Sequence, residues 1–276
     1  MSSMRPVFRS LLLALVLAGG LTGRADELPN AGRPPLLAAA FQGFLENQQR
    51  WAYTQTTSSP RADGATAPES VVRTDPSQPY DQQSVPLVIN GQPPTEKQRL
   101  DWAKQSEKQA QRRLKAVEAQ AAPDRDQDFR LRVLNREVRP WLDAATVIAE
   151  DDLSVTYDIP LQELGGRDAP RVDDHQLTAR VSKTRREFVH VTIRQTKLIQ
   201  VRAGKNYDGL TEIDFAAPDP QYPSVPTRLT FTMTNKPLLS PAHVISRRSE
   251  RKDFKRVIPF DERFNVKLAP LNLLEF

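Results

Sequence analysis

The sequence predicts an α+β fold: a large curved antiparallel sheet with two or three helices covering its concave face. Three observations carry that reading. From residue 146 onward, segment after segment alternates apolar and polar residues with period two, as in a sheet that is buried on one face and wet on the other. Two segments in the first half instead repeat apolar residues at helical spacing. The 276 residues are 38% hydrophobic, enough for one sizeable core, and no repeat of solenoid or propeller length is present. The expected organisation is a targeting segment over 1–25 and a single domain over 26–276. That domain carries helices up to about residue 143 and is strand-rich beyond.

The elements follow in order. Arg5 and Arg9 precede an apolar run from Leu11 to Leu21, and Gly23-Arg24-Ala25 offers a small-residue exit, the pattern of a secretory signal peptide cleaved after Ala25. Residues 34–49 place Leu37, Ala40, Phe41, Phe44 and Leu45 at helical spacing behind an entry of two prolines. Trp51 to Thr57 alternates and is rich in aromatic and β-branched residues, so it reads as a strand. Ser58 to Pro68 is a polar hairpin loop, with Ser70 to Thr74 returning. Asp75 to Tyr80 is a turn, and Val85 to Asn90 a strand entering the turn dipeptide Asn90-Gly91. Thr95 can cap a helix over 96–121, in which Leu100, Ala103, Ala110, Leu114, Val117 and Ala121 share a face.

A short helix is expected around Phe129 to Val138. Strands are then expected at Thr146 to Ala149 and Leu153 to Ile159, joined by the turn Glu150-Asp151-Asp152. Further strands fall at Leu177 to Val181, Glu187 to Thr192, Leu198 to Arg202, Leu210 to Phe215, Leu229 to Thr234, His243 to Arg247, Phe254 to Phe260 and Arg263 to Leu268.

Charge and composition narrow the function classes. The 39 basic residues exceed the 34 acidic ones by five, but Arg5, Arg9 and Arg24 belong to the targeting segment. Without them 36 basic residues face 34 acidic ones, a formal charge of +2, which argues against nucleic acid as a partner. The basic runs Lys183 to Arg186 and Arg247 to Arg256 include or adjoin acids and read as solvated strand faces and turns. The absence of Cys excludes disulfides, thiolate metal sites, cysteine nucleophiles and a lipid-anchored N-terminal cysteine. No apolar run reaches the length of about 20 residues that spans a bilayer as a helix.

Catalytic motifs are missing: no GxSxG, HExxH, Walker loop or GxGxxG occurs. His175, His190 and His243 lie in separate segments. Asp124, Asp126 and Asp128 have the spacing that opens a calcium loop, but Phe129 stands where Gly permits the turn and Asn135 where Glu closes the shell. Glu150-Asp151-Asp152 and Asp173-Asp174 could pair carboxylates for acid–base work, yet acidic hairpin turns are the commoner use. The reading is therefore a protein without catalytic, cofactor or metal residues. Trp51, Tyr53, Tyr157, Phe188, Phe215, Phe231, Phe254 and Phe264 are spread through the strands, either as core or as the lining of an apolar cleft.

Trp51, Tyr53 and Thr54, the turn Asp75-Pro76-Ser77, and the run Asn90-Gly91 with Pro93-Pro94-Thr95 resemble a group of functionally uncharacterised bacterial periplasmic proteins. That group shows an aromatic-Thr strand, an Asp-Pro-Ser turn and a Gly-x-Pro-Pro-Thr helix entry, and the likeness covers about residues 50–100. Its layout is similar to the outer-membrane lipoprotein carriers (LolA/LolB-like), which implies an open, unclosed β-barrel with helices as a lid over an apolar cavity.

The leading expectation is a non-enzymatic periplasmic protein that holds an apolar ligand, a lipid or a lipid-modified chain, between sheet and helices. Trp51, Tyr53, Val155, Tyr157, Phe231 and Phe264 are the candidate lining residues, and helices 34–49 and 96–121 the lid. The alternative is a cell-envelope interaction module with a packed core, using its sheet edges or the basic helix to contact an envelope protein.

Overall fold

The computed structural model describes residues 33–47, 49–59, 69–120, 131–133, 136–163, 171–197, 199–201, 205–237 and 243–264. Helix α1 spans Pro35–Asn47 and is followed by strands β1 (Trp51–Ser58), β2 (Ser70–Thr74) and β3 (Ser84–Val88). Helix α2 (Glu96–Gln120) leads to β4 (Leu131–Val133) and β5 (Arg136–Pro140). After a single 3-10 turn at Leu142–Ala144 come β6 (Thr146–Glu150), β7 (Ser154–Ile159) and β8 (Leu161–Glu163). The chain continues through β9 (His175–Ser182), β10 (Phe188–Gln195), β11 (Ile199–Val201), β12 (Lys205–Ala216), β13 (Val225–Pro237) and β14 (His243–Arg256) to a one-turn helix, α3 (Phe260–Phe264).

Eleven strands form one antiparallel sheet in the order β3-β2-β1-β14-β13-β12-β10-β9-β7-β6, with β11 paired on β12 off that path. Among the described residues the sheet does not close: β3 and β6 are its two ends. The last strand, β14, sits between β1 and β13, so the N-terminal meander β1-β2-β3 is joined to the rest through β14. A second sheet of three strands, β4-β5-β8, lies beside it. The α+β class and the open curved sheet follow the sequence expectation.

Residues opposite one another in an antiparallel ladder share a face, so the registers assign every side chain. Val155, Tyr157 and Ile159 of β7 stand opposite Val181, Ala179 and Leu177 of β9. Val191 and Ile193 of β10 continue the same rows to Ile213 and Thr211 of β12, then to Leu229 and Phe231 of β13. This is the inner face. Leu37, Ala40 and Phe44, at i, i+3 and i+7 of α1, close over it, with Val138, Leu142, Leu161 and Val172 completing the core. Leu37 and Val181 are 0% exposed, each worth about 1.5–3 kcal/mol of burial.

Several local motifs act as their chemistry dictates. Asn90 and Gly91 both take positive φ (56° and 75°), the two-residue turn that Asn-Gly favours. The Thr95 hydroxyl accepts from the Gln98 amide at 3.3 Å, while Gln98 Oε1 accepts from the Thr95 amide at 2.8 Å, a reciprocal cap that starts α2. Asp75 Oδ1 accepts from the Ser77 amide and hydroxyl at 3.0 and 2.6 Å, which makes Asp-Pro-Ser a self-bonded turn. Burial works against the Asp75 charge, but those bonds outweigh it and hold the carboxyl below its usual value.

Four local expectations are corrected. The segment around Phe129 to Val138 is not a helix where it is described: Leu131–Val133 and Arg136–Pro140 are strands, because the fully buried Val138 pairs with β4 on one side and β8 on the other. His243 to Arg247 and Phe254 to Phe260 are not separate strands; β14 runs unbroken to Arg256 and the chain ahead of Pro259 leaves the ladder. Its charged middle is held by hydrogen-bonded neighbours on both sides. The expected strand at Arg263 begins inside α3, and residues 265–268 lie outside the described ones. Finally, α2 does not cover the inner face beside α1. It packs on the edge strand β3, where Trp102 Nε1 donates to Ser84 O at 2.9 Å, and its Leu100 is 54% exposed. A helix this poor in large apolar side chains has little to bury. β8 was not expected from the sequence at all.

Candidate functional site: an apolar cleft beneath the first helix

Helix α1 starts at Pro35, where a proline costs no hydrogen bond, and the Ala38 amide donates to Pro34 O at 3.0 Å. Its far end is fixed by Asn47, which donates to Gly43 O at 2.9 Å and accepts from Arg256 Nη1 at 3.0 Å. Between these anchors the helix lays Phe41 and Phe44 toward the sheet. Phe188 of β10 meets Phe41 and Phe44 edge-on, with centroids 6.2 and 6.1 Å apart, and Phe215 of β12 meets Phe44 at 5.8 Å and Phe188 at 5.5 Å. Edge-to-face contact suits ring quadrupoles but leaves wedge-shaped gaps.

The rings do not fill the space between them. A cleft of about 40 Å³ remains, open to solvent at its mouth. Phe41 and Phe44 form one wall, and Ile159, Leu177, Ala179, Phe188, Val191, Ile193, Ile213 and Phe215 the floor, with Pro140 at one side. Every lining side chain is apolar, so nothing there offers a hydrogen bond or a charge to a reaction.

None of the six residues expected from the sequence lines this cleft. Val155 and Tyr157 lie together on β7 in the packed core, 5% and 4% exposed. Burial, then the charge of Glu150, pushes the Tyr157 phenol up. Trp51 and Tyr53 lie together on β1 in another cluster: Trp51 abuts Tyr222 and Phe254, and the Arg256 guanidinium sits 3.6 Å from the Tyr222 ring and 5.4 Å from that of Trp51. Burial lowers the Arg256 pKa. Tyr53 lies under the Arg251 guanidinium at 4.5 Å. Phe231 is half-buried on β13, and the Phe264 side chain lies outside the described residues. The residues that do line the cleft were visible as an amphipathic stripe in α1 and as alternation in the strands. Nothing in the sequence marks which strands α1 faces.

The polar candidates fall into structural roles. Asp151 accepts from the Leu153 and Ser154 amides at 2.8 and 2.7 Å, bonds which, with that from the Ser154 hydroxyl, hold its pKa down and shape the β6–β7 turn. Arg180 and Lys183 pair with Asp151 and Glu150. His175 contacts Asp174 at 2.9 Å. His190 bridges Asp214 at 2.8 Å and the Thr192 hydroxyl at 3.0 Å, an order of groups seen in hydrolases, but it stands on the outer face of the sheet. There the amides of β10 are engaged in the ladder and cannot form an oxyanion hole. Asp124, Asp126 and Asp128 lie outside the described residues, and among the described residues no three metal-binding side chains gather. No described helix is long and apolar enough to cross a membrane.

No family model matches the chain, and neither does any curated protein or solved structure.

Proposed function

We propose that this is a non-enzymatic, exported protein that holds an apolar ligand, a lipid or a lipid-modified chain, between α1 and the inner face of the sheet. The observation that supports this reading is the cleft itself: an unfilled space lined only by apolar side chains. The cleft, about 40 Å³, has room for about three waters. Pockets that take an organic ligand run to ~300–1,000 Å³. A chain therefore enters as α1 tilts away from Phe188 and Phe215, and α1 is the lid. The open sheet with a helix on its inner face agrees with the layout of the LolA/LolB-like carriers, and such a layout does not by itself assign a cargo. The leader-like pattern of residues 1–25 supports export to the periplasm as part of this reading.

Native mass spectrometry of protein purified from the periplasm, with solvent extraction in parallel, tests the reading. Co-purified lipid is the expected result. Protein that is empty and also fails to bind a fluorescent fatty acid overturns it. The small volume of the cleft favours a second reading, an envelope interaction module whose packed core binds nothing. Its contact surface would be the edge strand β6, where Val147 and Ile148 are each 54% exposed.

A further inference from the structure

The inner face does not end at the cleft. From Ile213 the ladder row passes to Leu229 of β13, Ser249 of β14 and Thr57 of β1; from Thr211 it passes to Phe231 and then Arg247. Arg251 lies on the same face opposite Gln55. With strands about 4.8 Å apart, Ser249 stands about 10 Å from Ile213, and Leu229 and Phe231 pave the distance. Helix α1 covers β9 and β10 but leaves this part open: Leu229 and Phe231 are half-buried and Arg247 is exposed.

Apart from Glu150 of β6, which stands opposite the inner Val155 at the far edge of the sheet and pairs with Lys183, the charges of the strands are sorted between the two faces. Asp158, Asp208, Glu212, Asp214 and Glu250 all fall on the outer face of their strands, by register with Thr178, Thr234, Thr230, Arg228 and Arg228's row. There Asp214 and Glu250 neutralise Arg228, and Glu250 also holds Arg248 and Lys252. On the inner face, β7, β9, β10, β12, β13, β14 and β1 present no carboxylate by register, yet they present Arg247 and Arg251. Arg251 rests on the Tyr53 ring and donates to Gln55 Oε1 at 3.2 Å, and Arg247 has no ion pair or hydrogen bond among the described residues. Between the two arginines the Ser249 and Thr57 hydroxyls meet at 2.9 Å.

We infer that the ligand is an anionic amphiphile, whose carboxylate or phosphate head is received by Arg247 and Arg251 beside the Ser249–Thr57 hydroxyls while its apolar chain runs over Leu229 and Phe231 into the cleft. This rests on the apolar-ligand reading and adds the headgroup to it. Cations with no carboxylate partner among the described residues, next to an apolar path, suit a ligand with charge at one end, because their charge gains a partner on binding. A neutral lipid gains nothing from them.

The test compares a fluorescent long-chain fatty acid with its methyl ester on the full mature chain. The acid is expected to bind about tenfold more tightly, the effect of two part-exposed ion pairs, with the difference shrinking in high salt. R247Q/R251Q brings the acid down to the affinity of the ester and leaves the ester unchanged; R247K/R251K restores most of the preference. Thermal melts confirm that the variants are folded. Equal binding of acid and ester by the wild-type chain, or an unaltered acid affinity in R247Q/R251Q, overturns the headgroup assignment and leaves the apolar-ligand reading standing. Failure of both probes to bind overturns both.

Discussion

Truncating Phe44 to Ala asks whether α1 is an integral part of the core or a loosely laid cover. Phe44 is 4% exposed and touches both Phe188 and Phe215. Removing a buried Phe costs about 3–5 kcal/mol, the sum of lost transfer energy and the cavity left behind. The ring touches Phe188 and Phe215 on one side and borders the cleft on the other, so the whole of that range applies. For a domain of this size each kcal/mol lowers the melting temperature by about 2–4 °C, so F44A should melt about 6–20 °C below wild type. Thermal unfolding followed by circular dichroism, with denaturant titration for the free energy, measures it. Phe41→Ala, at a half-buried position one turn earlier, should fall by less. A loss under about 2 °C for F44A would refute the reasoning: α1 would then contribute nothing to the core, and the cleft it walls would not be a feature of the folded chain.

Other perturbations follow from single contacts. Glu187, 9% exposed, receives the Arg185 guanidinium and the Ser224 amide at 2.8 Å. E187A strands that amide and should cost about 1–3 kcal/mol by denaturant titration. Gly91 at φ 75° has nothing within 4 Å of a Cβ, so G91A is opposed by backbone strain alone and should cost about 1–2 kcal/mol, while N90G should be nearly neutral. Asp151 has a folded-state pKa below its unfolded one, so its charge stabilises the fold above the unfolded value and that contribution is lost as pH falls through the folded value. D151N should therefore melt below wild type at pH 7, and the two curves should converge once both are acidified below the usual carboxylate range.

What was legible in the sequence was local. The Thr95-Gln98 cap, the Asn90-Gly91 turn and the alternation of β7, β9 and β13 each depend on residues within a few positions of one another, and each appears where expected. What failed depended on distant partners. Ser249 and its charged flanks look like a turn in isolation, yet become mid-strand because β1, almost 200 residues earlier, hydrogen-bonds them on one side and β13 on the other. Val138 reads as helical from its neighbours in sequence, but two ladders decide its conformation, one of them to β8, a strand of three residues. The cleft suffered in the same way. Phe41, Phe44, Phe188 and Phe215 are all visible as apolar positions, but only the folded chain shows that the body of α1 lies over β9 and β10, with Asn47 at its end reaching Arg256 of β14.

That strand order also explains why one sheet can have two kinds of inner surface. The meander β1-β2-β3 joins through β14, so the half of the sheet built from the chain's two ends lies beyond the cover that α1 provides. A strand with both faces wet can afford basic residues on each, which is how β14 carries Arg247 and Arg251 inward and Arg248 and Lys252 outward. The outward pair is neutralised by Glu250 within its own strand. A carboxylate at Leu229, Phe231 or Thr57 would have done the same inside, since each stands opposite or diagonal to an inner arginine. Apolar and hydroxyl side chains occupy those places instead. The inner arginines therefore keep their positive charge next to an apolar surface, Arg251 held only by the Tyr53 ring and the neutral Gln55 amide, a combination that an anionic amphiphile would complete.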